Sequence, residues 1–313
     1  MKKILLTLIC SIAIYTGNAQ VEKPSYVGSA PAYFDIFTKP AISFNYNSTL
    51  LCFSEKIGTV TFYNIMNDAK SIYTLGKEST VVICLFHPKK DEVAIGCKDG
   101  QLIIYDYVKQ TVVKTIQAHP KSMTAATYST NGDTLYTAGK EDKINGWNSN
   151  GELIQTFETA SSAKTIHLRG SQVIYNNEKM GNCVRIIDFA TSKEKKIDVS
   201  TAAKMDVSKD GKRAYVNCLS AEVEVWNLVT GSLEYKLSRH SGHGQDAVLS
   251  YNEKMLLSGG DDNKVIVWDL STQKPTWIID CESDVYCICI SPDDKYFAVL
   301  TNEQKMRFYK TNL

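Results

Sequence analysis

Five histidines, His87, His119, His167, His240 and His243, are the side chains of this 313-residue chain that ordinarily titrate near neutrality, so acid–base or nucleophilic chemistry is first sought around them. His87 falls in a tight turn and His167 at the end of an apolar run, and neither has a Ser or Cys in a nucleophile motif beside it. The chain has no Gly-x-Ser-x-Gly, no Gly-rich phosphate loop with a Lys and no His-Glu-x-x-His. The densest cluster is Arg239-His240-Ser241-Gly242-His243-Gly244-Gln245-Asp246, where His240, His243 and Asp246 are the donor types that gather around a transition metal. Three ligands would have to converge there, whereas a structural hydrogen bond for His240 and a solvated position for His243 demand nothing more. No metal and no cofactor are therefore expected. The carboxylate pairs Asp261–Asp262 and Asp293–Asp294 lie in turn-like clusters, where neighbours point apart rather than across a cleft.

The bulk sequence bounds what could hold such residues. Lys2 and Lys3 precede an apolar run from Ile4 to Tyr15, with small Gly17 and Ala19 just before Gln20. This predicts a signal peptide over residues 1–19 and, from its short lysine-led form, a bacterial chain that is periplasmic or secreted as residues 20–313. Cys10 follows bulky Ile9, which does not suit lipidation. No later stretch approaches the roughly 20 apolar residues of a membrane span, so no transmembrane segment is expected in the mature chain. The formal charge of +1 argues against a nucleic-acid partner, which needs a concentrated excess of Lys and Arg. Of nine cysteines, eight lie beyond the leader, without a metal-type pair of Cys-x-x-Cys motifs. Cys287 and Cys289 face one side of a strand, which disfavours bonding them to each other, and buried thiols are favoured over disulfides.

A repeat organises the rest. Seven segments share an alternating apolar strand that ends in a bulky residue and often Asp or Asn. Their anchors are Tyr63–Asn64, Tyr105–Asp106, Trp147–Asn148, Ile187–Asp188, Trp226–Asn227, Trp268–Asp269 and Tyr309–Lys310, at successive intervals of 42, 42, 40, 39, 42 and 41 residues. In phase with them run tight turns at Asn45–Ser48, Pro88–Asp91, Asn131–Asp133, Arg169–Ser171, Lys209–Lys212, Asn252–Lys254 and Pro292–Lys295. Each period holds about four short strands. A four-stranded sheet with two apolar faces cannot cover either alone, so stacking seven around an axis predicts an all-β, seven-bladed β-propeller. The last period stops after its third strand, and an extra strand-like run, Tyr33–Phe37, precedes the first. That N-terminal run is expected to close the last blade as its outer strand.

At the anchors the chain resembles the WD40-repeat family, whose blades end in Trp-Asp and often carry a His before the innermost strand. Trp268–Asp269 matches literally, while Trp147–Asn148 and Trp226–Asn227 are near matches. His119 and His240 each lie 28 residues before their anchor tryptophan. The resemblance implies a structural network of His119, Thr137, Glu141 and Trp147 in the third blade and of His240, Ser258, Asp262 and Trp268 in the sixth. In such a network an acid fixes the imidazole tautomer and a hydroxyl links imidazole to indole N–H. Ile187 and Tyr309 depart from Trp, and five blades lack the His. The Ala214–Cys218 and Ile186–Phe189 runs also resemble YVTN-type bacterial propellers. Trp277 alone lies outside the anchor phase, in an outer strand after Pro275, where peripheral packing is expected.

Loops on a rigid scaffold are where recognition usually sits. The expected function is a non-catalytic, monomeric scaffold for a protein or peptide. Its binding face is the rim carrying the loops around Lys77, His119–Lys121, Asp198 and Arg239–His243, with the turns at Asp99, Glu141, Ser220 and Asp262. The alternative is a lactonase-like propeller enzyme or a small-ligand or metal binder, for which His, Glu and Asp are few on the innermost strands.

Overall fold

The structure, a computed structural model, describes residues 23–32, 42–76, 78–177 and 183–312. Within them the chain forms seven four-stranded antiparallel sheets. Blades 1 to 6 span residues 43–74, 81–117, 123–158, 163–198, 202–238 and 244–280, each running from its innermost to its outermost strand. Blade 7 takes three strands from 285–310 and its outer strand, Ser25–Pro31, from the other end of the sequence. Ser25 pairs with Lys310 and Pro31 with Lys305.

The last blade is thus closed by an N-terminal strand, but not by the run expected. Tyr33–Phe37 lies outside the described residues, and the closing strand is Ser25–Pro31. The physical reason is exposure. An outermost strand covers little core, and only Ala30 of Ser25–Pro31 is buried, so the strand needs none of the apolar character that marked Tyr33–Phe37.

The second and third strands of each blade are covered on both faces, so they read as apolar runs rather than as alternation. Lys264–Asp269 buries all four of its central residues. Blades pack face to face through side chains of alternate parity. Met255, Leu257, Val265 and Val267 of blade 6 meet Ile288, Phe297, Val299 and Tyr309 of blade 7. All eight cysteines described are free and buried in these layers, where thiols act as small apolar groups. No helix among the described residues is long and apolar enough to cross a membrane.

Two local devices repeat around the ring. Five residues before the anchor, at the turn into the third strand, the backbone is left-handed at Gly58, Gly100, Asp142, Ala221, Asn263 and Gln304. In blades 2 to 7 a bulge follows the first residue of the innermost strand, as between Gly244 and Asp246. Antiparallel order then puts the turns into the third strand and the loops between blades on one face. The other two turns of each blade lie on the opposite face.

Candidate functional site

The loop face is held by side-chain ties inside the blades. In blade 6 the Trp268 indole N–H donates to Ser258 Oγ at 2.8 Å, and His240 Nε2 lies 2.8 Å from the same oxygen. His240 Nδ1 sits 3.0 Å from Asp262, which also accepts from the Ser241 amide at 2.9 Å. Burial alone would raise the Asp262 carboxyl, but the Ser241 amide and His240 hold it below the usual carboxylate range. In blade 3 Trp147 N–H and His119 Nε2 meet Thr137 Oγ1, each at 2.8 Å, and His119 Nδ1 contacts Glu141. Burial pushes the His119 imidazole down, against the pull of Glu141. Each chain of bonds joins an interblade loop, a strand and a turn, so the rim loop cannot move without breaking it.

These contacts divide the expected rim residues. His119 and His240 are buried, and Glu141 and Asp262 are half-buried and engaged with them. Asp99, Lys121, Asp198, Ser220 and His243 remain exposed on the loop face. The face brings Asp99 beside His119 and Lys121, since a Cβ on Gly100 would lie 2.0 Å from the His119 carbonyl and 2.5 Å from that of Lys121. It brings His243 beside Ser220, through a 2.6 Å contact of His243 Nδ1 with the Leu219 carbonyl. Asp198 ends the outer strand of blade 4 and pairs with Lys196 at 2.6 Å. Lys77 lies outside the described residues. His240, His243 and Asp246 do not converge: His240 serves Ser258, His243 serves Leu219, and Asp246 takes the Lys204 ammonium at 2.9 Å.

Two arrangements had not been anticipated. In blade 5 the Trp226 N–H donates to Glu224 Oε2 at 2.9 Å, while Glu224 accepts from the Ser200 hydroxyl at 2.5 Å and amide at 3.1 Å. Glu224 is only 2% exposed, and an acid two places before an anchor Trp was the available signal. The other is a row at the bulge position of blades 5, 6 and 7. There Lys204 Nζ lies 2.9 Å from Asp246 and 3.4 Å from Cys287 Sγ, and the Ile288 amide donates to the same Asp246 oxygen at 3.0 Å. Burial opposes the Lys204 charge, yet Asp246 and Cys287 outweigh it and hold the ammonium well above its ordinary range. Burial pushes the Cys287 thiol up to about 11. Neither group is a nucleophile at neutral pH. His167 is engaged at both nitrogens, with the Met205 carbonyl at 3.0 Å and Asp206 at 3.4 Å.

The family model "WD domain, G-beta repeat" matches residues 110–148 and 231–269, which end at the two blades whose ties contain histidine. Periodic tryptophan protein 2 of Arabidopsis thaliana is 26% identical over 236 residues, covering 72% of this chain and 26% of that protein. Transcription factor unc-37 of Caenorhabditis elegans is 22% identical over 295 residues, or 94% of this chain and 41% of that protein. Small ribosomal subunit protein RACK1y of Oryza sativa is 29% identical over 87 residues, 28% of this chain and 26% of that protein. The chain thus spans about a quarter of the length of Periodic tryptophan protein 2. The expectation of bacterial export is overturned by the same kinship, because the Periodic tryptophan protein 2 relatives come from a plant, a slime mould, mouse and yeast. The expected leader, residues 1–19, lies outside the described residues. Two lysines, a dozen apolar residues and two small ones are a compositional pattern and nothing more specific.

Proposed function

We propose that this chain, a β-propeller of the WD-repeat family, is a monomeric scaffold that binds a protein or peptide on its loop face through Asp99, Lys121, Asp198, Ser220 and His243. The observation that carries the reading is the pair of ties in blades 3 and 6. Each anchors a loop by its buried histidine and leaves the neighbouring side chains, Lys121 and His243, exposed. Loops held in this way lose little freedom on binding, which favours recognition by a fixed face. The net charge of +1 and the mixture of Asp, Lys and His on the rim fit a polar polypeptide surface better than a phosphate backbone.

The test is cross-linking capture of partners by the tagged full chain in its own cells, repeated with Lys121→Glu, His243→Glu and the double variant. Lys121→Glu is expected to leave the thermal midpoint unchanged, whereas His243→Glu also gives up the contact with the Leu219 carbonyl, so capture is compared at temperatures where every variant is folded. The double variant is expected to lose at least about tenfold of the captured partner, the range of a disrupted recognition contact. Capture that is equal for all three variants overturns the assignment of this face.

A further inference from the structure

Where the innermost strand of each blade runs into its first turn, on the face opposite the recognition rim, the chain has Asn45, His87, Ser129, Arg169, Ser208, Ser250 and Ser291 in blades 1 to 7. Five of these are short and serve their own blade. Asn45 accepts from the Thr49 and Leu50 amides, each at 2.9 Å. Ser129, Ser208, Ser250 and Ser291 accept the first amide of the returning strand at 3.0, 3.0, 3.0 and 2.9 Å. The other two are long and cross to the next blade. The Arg169 guanidinium donates to the Val207 and Ser208 carbonyls of blade 5 at 2.7 and 2.8 Å, and a guanidinium stays charged throughout the range in which proteins fold. His87 reaches blade 3 instead, and imidazole is the side chain that titrates near neutrality.

His87 is buried with both ring nitrogens engaged. Nδ1 lies 3.0 Å from the Lys89 amide and 3.0 Å from the Lys90 amide, while Nε2 lies 3.1 Å from the Gly132 carbonyl. Backbone amides only donate and a carbonyl only accepts, so the proton sits on Nε2 and the ring is neutral. The ring packs against Tyr128 with centroids 4.9 Å apart, and Gly132 makes room for it, since a Cβ there would lie 2.4 Å from Cε1. His119, His167 and His240 each set a nitrogen against a carboxylate, of Glu141, Asp206 and Asp262. His87 has two N–H donors in that place. A second proton, on Nδ1, would point straight at them, so the charged ring cannot hold the turn. Burial pushes the imidazole below its ordinary value, against the pull of the Gly132 carbonyl, Glu92 and Asp133 and with the help of Lys90. Lys114 is the further charged side chain along this seam.

We propose that His87 is a proton-operated latch between blades 2 and 3: neutral, it joins its own turn to the turn at Gly132, and charged, it releases both. One rigid ring carries the two nitrogens, so turning Nδ1 away from the amides also takes Nε2 off the Gly132 carbonyl. The neutral form is the one that fastens. The latch is therefore closed above about pH 6.5, the unfolded histidine value, and opens as pH falls through the lower value of the folded chain. The test is amide hydrogen exchange in the ¹⁵N-labelled full chain, each rate divided by that of an unstructured chain at the same pH. Between about pH 7.5 and about pH 4.5 the protection of the Lys89, Lys90 and Gly132 amides is expected to fall at least about tenfold. That of the Arg213 and Met255 amides, held by Ser208 and Ser250, is expected to stay constant. The fall should track the ring ¹⁵N signals of His87 itself. His87→Asn places a non-titrating acceptor there, as Asn45 does in blade 1, so the pH dependence at Lys89 and Lys90 is expected to vanish. Constant protection at Lys89 and Lys90 in the natural chain, a fall with a midpoint other than that of the His87 ring, an equal fall at Arg213, or an equal fall in His87→Asn overturns the proposal.

Discussion

Blades 5 and 6 are neighbours with the same strand plan, yet they hold their anchor tryptophans by different chemistry. Blade 6 runs a chain from indole to hydroxyl to imidazole to carboxylate through Trp268, Ser258, His240 and Asp262. Blade 5 compresses the task into one residue: Glu224 takes the Trp226 N–H directly and reaches Ser200 in the loop before the blade. Blade 3 repeats the blade 6 solution with His119 and Thr137. What blades 3, 5 and 6 share is that the buried indole donor and the incoming loop are joined through one side chain that accepts from the indole, a hydroxyl in blades 3 and 6 and a carboxylate in blade 5. Which residues supply it is free to vary, and this fits a family model that matches the segments ending at Asn148 and Asp269 while the fold extends through all seven blades.

If Glu224 carries the tie of blade 5 alone, its removal should be the most damaging of single changes there. Glu224→Ala leaves the Trp226 and Ser200 donors without their acceptor, and we expect a loss of about 2–3 kcal/mol in denaturant unfolding. A loss below about 0.5 kcal/mol would show that blade 5 needs no tie and would break the comparison.

Acid should separate the two designs more gently. The His119 imidazole is depressed in the fold, chiefly by burial, so the unfolded chain takes up protons first. The stability that neutral His119 supports is complete above about pH 6.5, the unfolded histidine value, and is lost as pH falls through the lower folded value. Glu224 is also depressed: burial opposes this, but the Ser200 and Trp226 bonds prevail. Its contribution is complete above about pH 4.3, the unfolded value, and declines only as pH falls further through the folded value. Between those limits hydrogen exchange at the Trp147 indole should quicken while that at Trp226 holds. Equal quickening of both would contradict the comparison.

The smallest effect concerns the left-handed turn position, where blade 6 has Asn263 at φ 63° and blade 5 has Ala221 at φ 67°. Asn tolerates this region and Ala does not. Ala221→Gly should stabilise by about 0.5 kcal/mol, the relief of strain less the added freedom of the unfolded chain. Asn263→Ala should cost a similar amount, read as opposite shifts of the thermal midpoint.

The sequence carried the ring and its period because anchors, turns and apolar strands are local signals. It also carried the histidine ties, through a 28-residue spacing to Trp147 and Trp268. It did not yield the closing strand: Ser25–Pro31 buries only Ala30 and is defined by pairing with residues almost the whole chain away. The Lys204–Asp246–Cys287 row was equally hidden, since three unlike residue types become one arrangement only when blades 5, 6 and 7 stand side by side. The rim residues were found as a set, but burial alone separates His119 and His240 from Lys121 and His243.

The strand Ser25–Pro31 has a consequence for how the molecule is made. It is synthesised before the strands of blades 1 to 6, yet its partner Lys305–Lys310 is synthesised after all of them. Until then the nascent ring is an open arc with two bare sheet faces, the state most exposed to mispairing and aggregation. Ring closure is therefore governed by a contact of very long range, and such contacts fold slowly.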